Sequence, residues 1–503
     1  MQTNKLEHAR LVRGIAKGAG IVFLATILAR ILGYAIRVLI AREYGPEGYG
    51  LVSTSIAIMT TASMIALLGF PNALSRQISF YLNTNSKGKI KNLIVAAYAV
   101  SSVLSLTFAI LIFTNSAWIA EAVFKNKMMV PFLNYFAAGL IFYVWIQLAA
   151  SVFKAFKQML YFSVLKDLAR FGLILIAVIC AVLLNAPTEK LGLFYFIAYG
   201  AVGVIGTAII FFATHVRNFP FVWSGRDVSI LFKFSVPLVL AGIASILLFR
   251  IDVLMIGYFL NQTQVGIYDA AVRIAELLGL VLSSFSPFLL PAVTEAFAKK
   301  HTGQMKSMYA ISTKWIFVLT VPLFSLMFFF PDLFLRILFG SKFLNAVPVL
   351  QIIALGFIVS ASVGATGSIL IAIGKTNILM VNNFVVLCVN VVLNYFLIPR
   401  FGIIGGGIAS AISLVVLNAA MVAEVFHFTK IHPFSWPFLR IGVFALAAAW
   451  LLETIVHTKS LMFGFLLFLL YGVIYVFGLL FTKSFDENDA IIFREFKKRF
   501  GLN

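Results

Sequence analysis

A chain of 503 residues, 62% of them hydrophobic and only 11% charged, has too little polar surface to stay dissolved as a globular protein, and the bilayer is the solvent that fits it. Its formal charge of +21 lies mostly in segments that fall on one side of such a bilayer, which reads as membrane topology and attraction to anionic lipid, not nucleic-acid recognition. Cys180 and Cys388 both lie inside apolar runs, suggesting buried packing and excluding a disulfide framework or a metal site.

The N-terminus carries Lys5, Arg10, Arg13 and Lys17, but the apolar run behind them is too long for the core of a signal peptide, so it is read as the first true span. Spans are expected near 14–41, 48–70, 91–113, 130–153, 161–184, 192–213, 233–258, 266–291, 309–330, 346–373, 376–398, 403–428, 438–456 and 461–482. Each is about the length that a helix needs to cross ~30 Å of hydrocarbon. The expected fold class is therefore an all-α membrane protein of about fourteen transmembrane helices; continuous runs exclude a β-barrel. With both termini in the cytoplasm, most Lys and Arg fall on the inner side, giving a multi-pass protein of the cell membrane. Residues 214–232 mix basic and aromatic side chains, and residues 485–500 group Ile492, Phe493, Phe496 and Phe500 beside Lys497, Lys498 and Arg499. Both stretches are expected on the inner membrane surface.

The chain repeats itself in register. Gly50 and Pro71 correspond to Gly266 and Pro287 at one constant spacing. Pro131, Leu133, Ala137, Gly139, Ile141, Ser151 and Ala155 correspond to Pro348, Leu350, Ala354, Gly356, Ile358, Ser368 and Ala372. The copies are six spans apart and share one orientation, which implies two six-helix bundles related by a pseudo-twofold axis along the membrane normal. The domains read as a first bundle at 1–213, a cytoplasmic connector at 214–232, a second bundle at 233–430, and two extra spans with a basic tail at 431–503. Two similar bundles that rock against each other suit a transporter better than an enzyme or a scaffold.

Charges inside spans need a reason, because each costs ~2.5–3.5 kcal/mol or more. Arg30 and Arg37, seven residues apart, share a face of the first span, and Arg250 and Asp252 interrupt the seventh. Asp269, Arg273 and Glu276 form one stripe on the eighth. On the inferred topology Arg30, Arg250 and Arg273 lie roughly 10–15 Å in from the outer surface, at depths suited to lining one cavity. A guanidinium cannot shed its charge, and its planar fork fits phosphate oxygens. Against this stands a structural reading, in which Arg273 pairs with Asp269 or Glu276 and Arg250 with Asp252. The carboxylates Asp252, Asp269 and Glu276 suit H⁺ or Na⁺ coupling, or a counter-ion role. Asn390 and Asn394 share a face with Asn383 in span 11, where amides either bind sugar hydroxyls or join helices.

Other motifs carry little. The glycines of GIIGGGIAS at 402–410 resemble a dinucleotide loop, but no strand or downstream acid supports one. There is no Walker A sequence, no metal-spaced cluster and no nucleophile elbow, so no cofactor, metal site or catalytic residue is expected. The absence of a long acidic or His-bearing loop argues against a glycosyltransferase or polymerase.

The segments ARILGYAIRVLIAREYGPEGYGLVSTSIAIM at 29–59, LLGFPNALSRQISFYL at 67–82 and SVPLVLAGIASILLFRIDVLMIGYFLNQTQVGIYDAAVRIAELL at 235–278 resemble the polysaccharide-biosynthesis flippases. These are O-antigen and teichoic-acid exporters of the multidrug/oligosaccharidyl-lipid/polysaccharide superfamily. The resemblance implies two bundles around a cationic cavity and a cargo of polyprenyl-linked oligosaccharide, its lipid tail outside that cavity, with glycosyltransferases of the same pathway as partners. Arg30 matches an arginine of the related lipid II flippases. Their next arginine falls three residues after the position of Gly33, where this chain has Ile36; here the arginine is Arg37, turned by about 100° on a helix. A cation-coupled multidrug or metabolite exporter of the same superfamily is the alternative, and its cavity should be dominated by carboxylates and aromatics.

Overall fold

The computed structural model describes residues 2–84, 86–221, 223–248, 250–433, 436–455 and 461–481, and every regular element among them is helical. The expected amphipathic tail at 485–500 lies outside the described residues. In hydrocarbon a helix satisfies its own backbone, which is why continuous apolar runs take this form. Nine of the described helices are long and apolar enough to cross a membrane. That number is below the expected fourteen partly because one of the nine, Leu24–Leu67, holds two expected spans. Others are broken into shorter pieces.

The first unit comprises Met1–Gly266. Helix α1 (Gln2–Leu67) bends at Gly45, with φ 68° and ψ −173°, just before Pro46. Proline lacks the donor that would continue the ladder, and glycine takes the positive φ without strain. This bend replaces the loop expected between the first two spans. α2 (Phe70–Asn83), α3 (Lys87–Thr114) and α4 (Met129–Ala155) follow. A short helix at Met159–Ser163 and a π-helical turn at Val164–Ala169 lead into α5 (Arg170–Leu183), and α6 is Leu191–Ala213. α4 is the central helix, with Phe132, Phe136, Leu140, Val144, Leu148 and Val152 all buried against α1, α2, α3 and α6. Apolar side chains gain little by leaving lipid, so hydroxyls help to join the helices. Ser75 and Ser79 donate to the Ser151 and Ala155 carbonyls at 3.0 and 3.2 Å, and Trp145 Nε1 donates to Ser102 Oγ at 2.8 Å.

The stretch at 214–232, expected as an amphipathic connector on the inner membrane surface, packs on helices of the first unit. After a 3₁₀ turn at Val216–Asn218 it reaches α7 (Gly225–Leu248). Tyr81 of α2 donates its hydroxyl to Asp227 Oδ1 at 2.7 Å, and Lys91 donates to the Phe219 carbonyl at 3.0 Å. Asn92 donates to the Ser224 carbonyl at 3.2 Å, and Phe232 meets Phe70 edge-on at 5.2 Å. Burial, together with the Asp227 carboxylate, pushes the Tyr81 hydroxyl up to about 12. Phe221 and Trp223 remain exposed. α7 packs on α1, α2 and α3, and α8 (Ile251–Phe259) on α1. The contacts thus group with the first unit a span that the repeat assigns to the second.

Helix α9 (Gln262–Ala298) starts in this unit. A Cβ on Gly50 would collide with the Gln262 carbonyl, and one on Gly266 with the Pro46 carbonyl. Only glycine permits this backbone approach. Thr54 seals it by donating to Gln262 Oε1 at 2.7 Å. Two positions matched by the repeat are therefore packed against each other.

The second unit comprises Ile267–Asn503. It continues through α10 (Thr302–Phe329), α11 (Pro331–Leu338), α12 (Val347–Val363), α13 (Thr366–Ala372), α14 (Thr376–Phe401) and α15 (Ile403–Thr429). The expected span at 346–373 breaks at Gly364, φ 68°, where Thr313 leaves no space for a side chain. Tyr309 fixes the break from α10, with its hydroxyl 3.1 Å from the Val363 carbonyl and 2.9 Å from Thr366 Oγ1. The two extra helices, α16 (Trp436–Ile455) and α17 (Leu461–Phe481), dock on α10, where Tyr475 donates to the Val318 carbonyl at 2.8 Å. Cys180 and Cys388 are exposed on helix surfaces, which corrects the expectation of buried thiols: an apolar run in lipid has an outward face as well as a packed one.

Candidate functional site

Arg30, Arg37 and Arg250 all belong to the first unit. Arg30 is exposed on α1, and Arg37, two turns on, is half-buried. Gly33 lies between them and lets α5 approach. The place where its Cβ would stand is 3.5 Å from both Arg37 Nη1 and Phe171 Cε1. Arg37 donates to the Gly33 carbonyl at 3.3 Å and lies 5.8 Å from the Tyr34 ring centre. Arg250 stands where the seventh span is interrupted, as the residue before α8, with φ −125° and ψ −21°. Asp252, in the first turn of α8, is buried.

A further arginine, which the sequence did not single out, joins them. Arg170 opens α5 directly after the π-helical turn, a distortion that recurs at functional sites. Its guanidinium lies 4.4 Å over the Phe171 ring and 6.0 Å from that of Tyr143. Its Nε is buried with no hydrogen-bond partner. Tyr199 of α6 is within electrostatic reach of Arg170, Arg250 and Arg37 and meets Tyr143 edge-on at 5.8 Å. Among the described residues neither Arg37 nor Arg170 forms an ion pair with a carboxylate. Arg170 falls inside the expected span 161–184, but Lys166 and Asp167 beside it give that stretch the look of a loop end. Its position in the span was the available signal.

In the second unit the charges are organised differently. Arg273 is buried, with Nη2 2.7 Å from Asp269 Oδ1 and Nη1 2.8 Å from Glu276 Oε2. Its Nε also donates to Asp269 at 3.1 Å. Arg273 is thus shared between two carboxylates of its own helix. Asp269 and Glu276 act here as its counter-ions. Asn394 Nδ2 donates to Asn390 Oδ1 at 2.9 Å, and both residues are buried. Asn382 donates to Glu424 of α15 at 2.7 Å. The Asn394–Asn390 bond lies within α14, and the Asn382–Glu424 bond joins α14 to α15.

Nine long apolar helices among the described residues define a multi-pass membrane protein. The chain belongs to the polysaccharide biosynthesis protein family, whose model matches residues 15–297, more than half of the chain. The MatE model also matches residues 237–396. An uncharacterized membrane protein of Methanocaldococcus jannaschii is 24% identical over 94% of this chain and 97% of its own length. The "probable low-salt glycan biosynthesis flippase Agl15" of Haloferax volcanii is 24% identical over 80% of this chain and 81% of its own. In fold the chain is similar to the lipid II flippase MurJ in an inward closed conformation, with a TM-score of 0.74 at 15% identity, covering 92% of this chain and 99% of that one.

Proposed function

We propose that the protein is a flippase, not an enzyme, and that it moves a polyprenyl-diphosphate-linked oligosaccharide from the cytoplasmic to the external leaflet of the cell membrane by alternating access. The observation that carries this reading is the arginine group of the first unit. Arg37 and Arg170 fall in apolar stretches and, among the described residues, pair with no carboxylate. Holding guanidinium groups there costs ~2.5–3.5 kcal/mol each on insertion scales, and a diphosphate cargo supplies the missing counter-charge. The relatives' names support the same cargo class. Arg30, exposed on the same face of α1 as Arg37, extends the cationic surface. Both termini lie in the cytoplasm on the distribution of basic residues, and glycosyltransferases that build the cargo are the natural partners.

The test is a deletion strain. Lipid-linked oligosaccharide should accumulate on the inner leaflet, and the wild-type gene should clear it. Arg30→Ala and Arg37→Ala, inserted at normal level, should fail to do so. Complementation by both would sink the assignment of these arginines.

A second reading has one specific support. The Asp269–Arg273–Glu276 stripe, with two carboxylates on one helix, lies inside the MatE match and suits a cation-coupled exporter, or an H⁺ or Na⁺ that drives the flippase, with Asp252 as a further carboxylate. Dependence of export on a sodium gradient, lost in Asp269→Asn, would favour coupling through this stripe.

A further inference from the structure

We infer that Arg170 is a direct contact for the cargo's head group, its guanidinium taking diphosphate oxygens while Phe171 and Tyr143 offer aromatic faces to the first sugar. The inference rests on the flippase reading and adds to it a residue and a division of labour. Four observations meet at this point. Arg170 Nε is buried and unpartnered. Its guanidinium carbon lies 4.4 Å from the Phe171 ring centre. Arg37 reaches the same place from another helix, because Gly33 lets α1 close on Phe171. Tyr143 and Tyr199 pack edge-on at 5.8 Å beside them.

The chemistry fits one kind of ligand. Arg37 Nη1 and the Phe171 ring that carries Arg170 both border the Gly33 Cβ position; among the described residues neither guanidinium pairs with a carboxylate, and two like charges in a low dielectric repel unless an anion bridges them. An arginine stacked on an aromatic ring keeps its outer N–H edge for bidentate recognition of phosphate. Aromatic faces next to a phosphate site suit the C–H face of a pyranose. A purely structural cation–π pair would explain the stack. It would not explain the unpartnered Nε or the second guanidinium.

The experiment uses the full-length protein in nanodiscs and the arginine reagent phenylglyoxal, with each modified peptide quantified by mass spectrometry. The probes are undecaprenyl diphosphate, the same carrier bearing N-acetylglucosamine, undecaprenol, and phosphatidylglycerol. Carrier binding to the wild type is measured independently by native mass spectrometry. The expected result is at least fivefold slower modification of Arg170 with either diphosphate carrier and no change with undecaprenol or phosphatidylglycerol. Arg170→Lys should weaken carrier binding about tenfold, and Phe171→Leu should remove the preference for the sugar-bearing carrier over the bare one. If the carrier binds and Arg170 is modified at an unchanged rate, the inference falls and the flippase reading stands. If phosphatidylglycerol protects equally, Arg170 is a general lipid contact and the inference falls. If the wild type binds neither carrier, both fall together.

Discussion

Arg37 and Arg273 are both arginines at membrane depth, yet their surroundings make them different kinds of residue. Arg273 balances two carboxylates, one of them fully buried. Arg273→Ala would take a charged, doubly hydrogen-bonded partner from the buried Asp269 carboxylate, a loss expected to cost about 3 kcal/mol. The thermal midpoint of the purified protein should fall accordingly, and adding Asp269→Asn should restore part of it. Arg37 has no acid to strand. Arg37→Ala should therefore shift the midpoint little, within about 1 kcal/mol, while export falls at least tenfold, a loss of about 1.4 kcal/mol in transition-state terms. A common loss of stability in both variants would remove the distinction between a structural and a functional arginine. The sequence offers both roles for each residue; only the distances separate them.

At the scale of elements, two contacts fix how helices of the first unit meet. The Gly50–Gly266 crossing brings two backbones together with no space for a methyl group. Gly50→Ala should destabilise by about 1–3 kcal/mol through overpacking, seen as lower yield and a lower midpoint, and Gly266→Ala should do the same. An unchanged midpoint in either variant would show that the crossing opens at no cost. The docked connector depends on Asp227, whose Oδ1 accepts the Tyr81 hydroxyl and lies 4.0 Å from Lys89 Nζ. Tyr81→Phe takes that donor from a buried carboxylate, at about 1–3 kcal/mol. Tryptic cleavage after Arg217 should then speed up several-fold relative to wild type, with no change at sites on the second unit. Equal cleavage would mean that the Phe70–Phe232 contact alone holds the connector.

For the whole molecule, the arrangement of basic residues makes a prediction about orientation. Reporter fusions at residue 503 and at the N-terminus should both report the cytoplasm, and a reporter placed after Asn261 the opposite side. The two units differ in charge logic as well as in sequence. In the first, Arg37 and Arg170 have no carboxylate ion pair among the described residues, and in the second Arg273 is bridged to Asp269 and Glu276. The central helix of the first unit, α4, is continuous, while the stretch that the sequence repeat matches to it breaks at Gly364.

The sequence by itself determined the solvent, the helical class, the repeat and the arginine-bearing faces, because hydrophobic run length and charge depth are local quantities that the bilayer reads directly. It could not show that Gly50 meets Gly266, that Arg273 is neutralised by Asp269 and Glu276, or that Arg170 joins Arg37. A guanidinium four residues from a carboxylate pairs with it or turns away according to rotamer and neighbours. Arginines 133 positions apart, Arg37 and Arg170, become one site only when a glycine lets α1 and α5 close around Phe171. Those outcomes depend on packing between helices distant in the chain, and packing was decided by the tertiary structure.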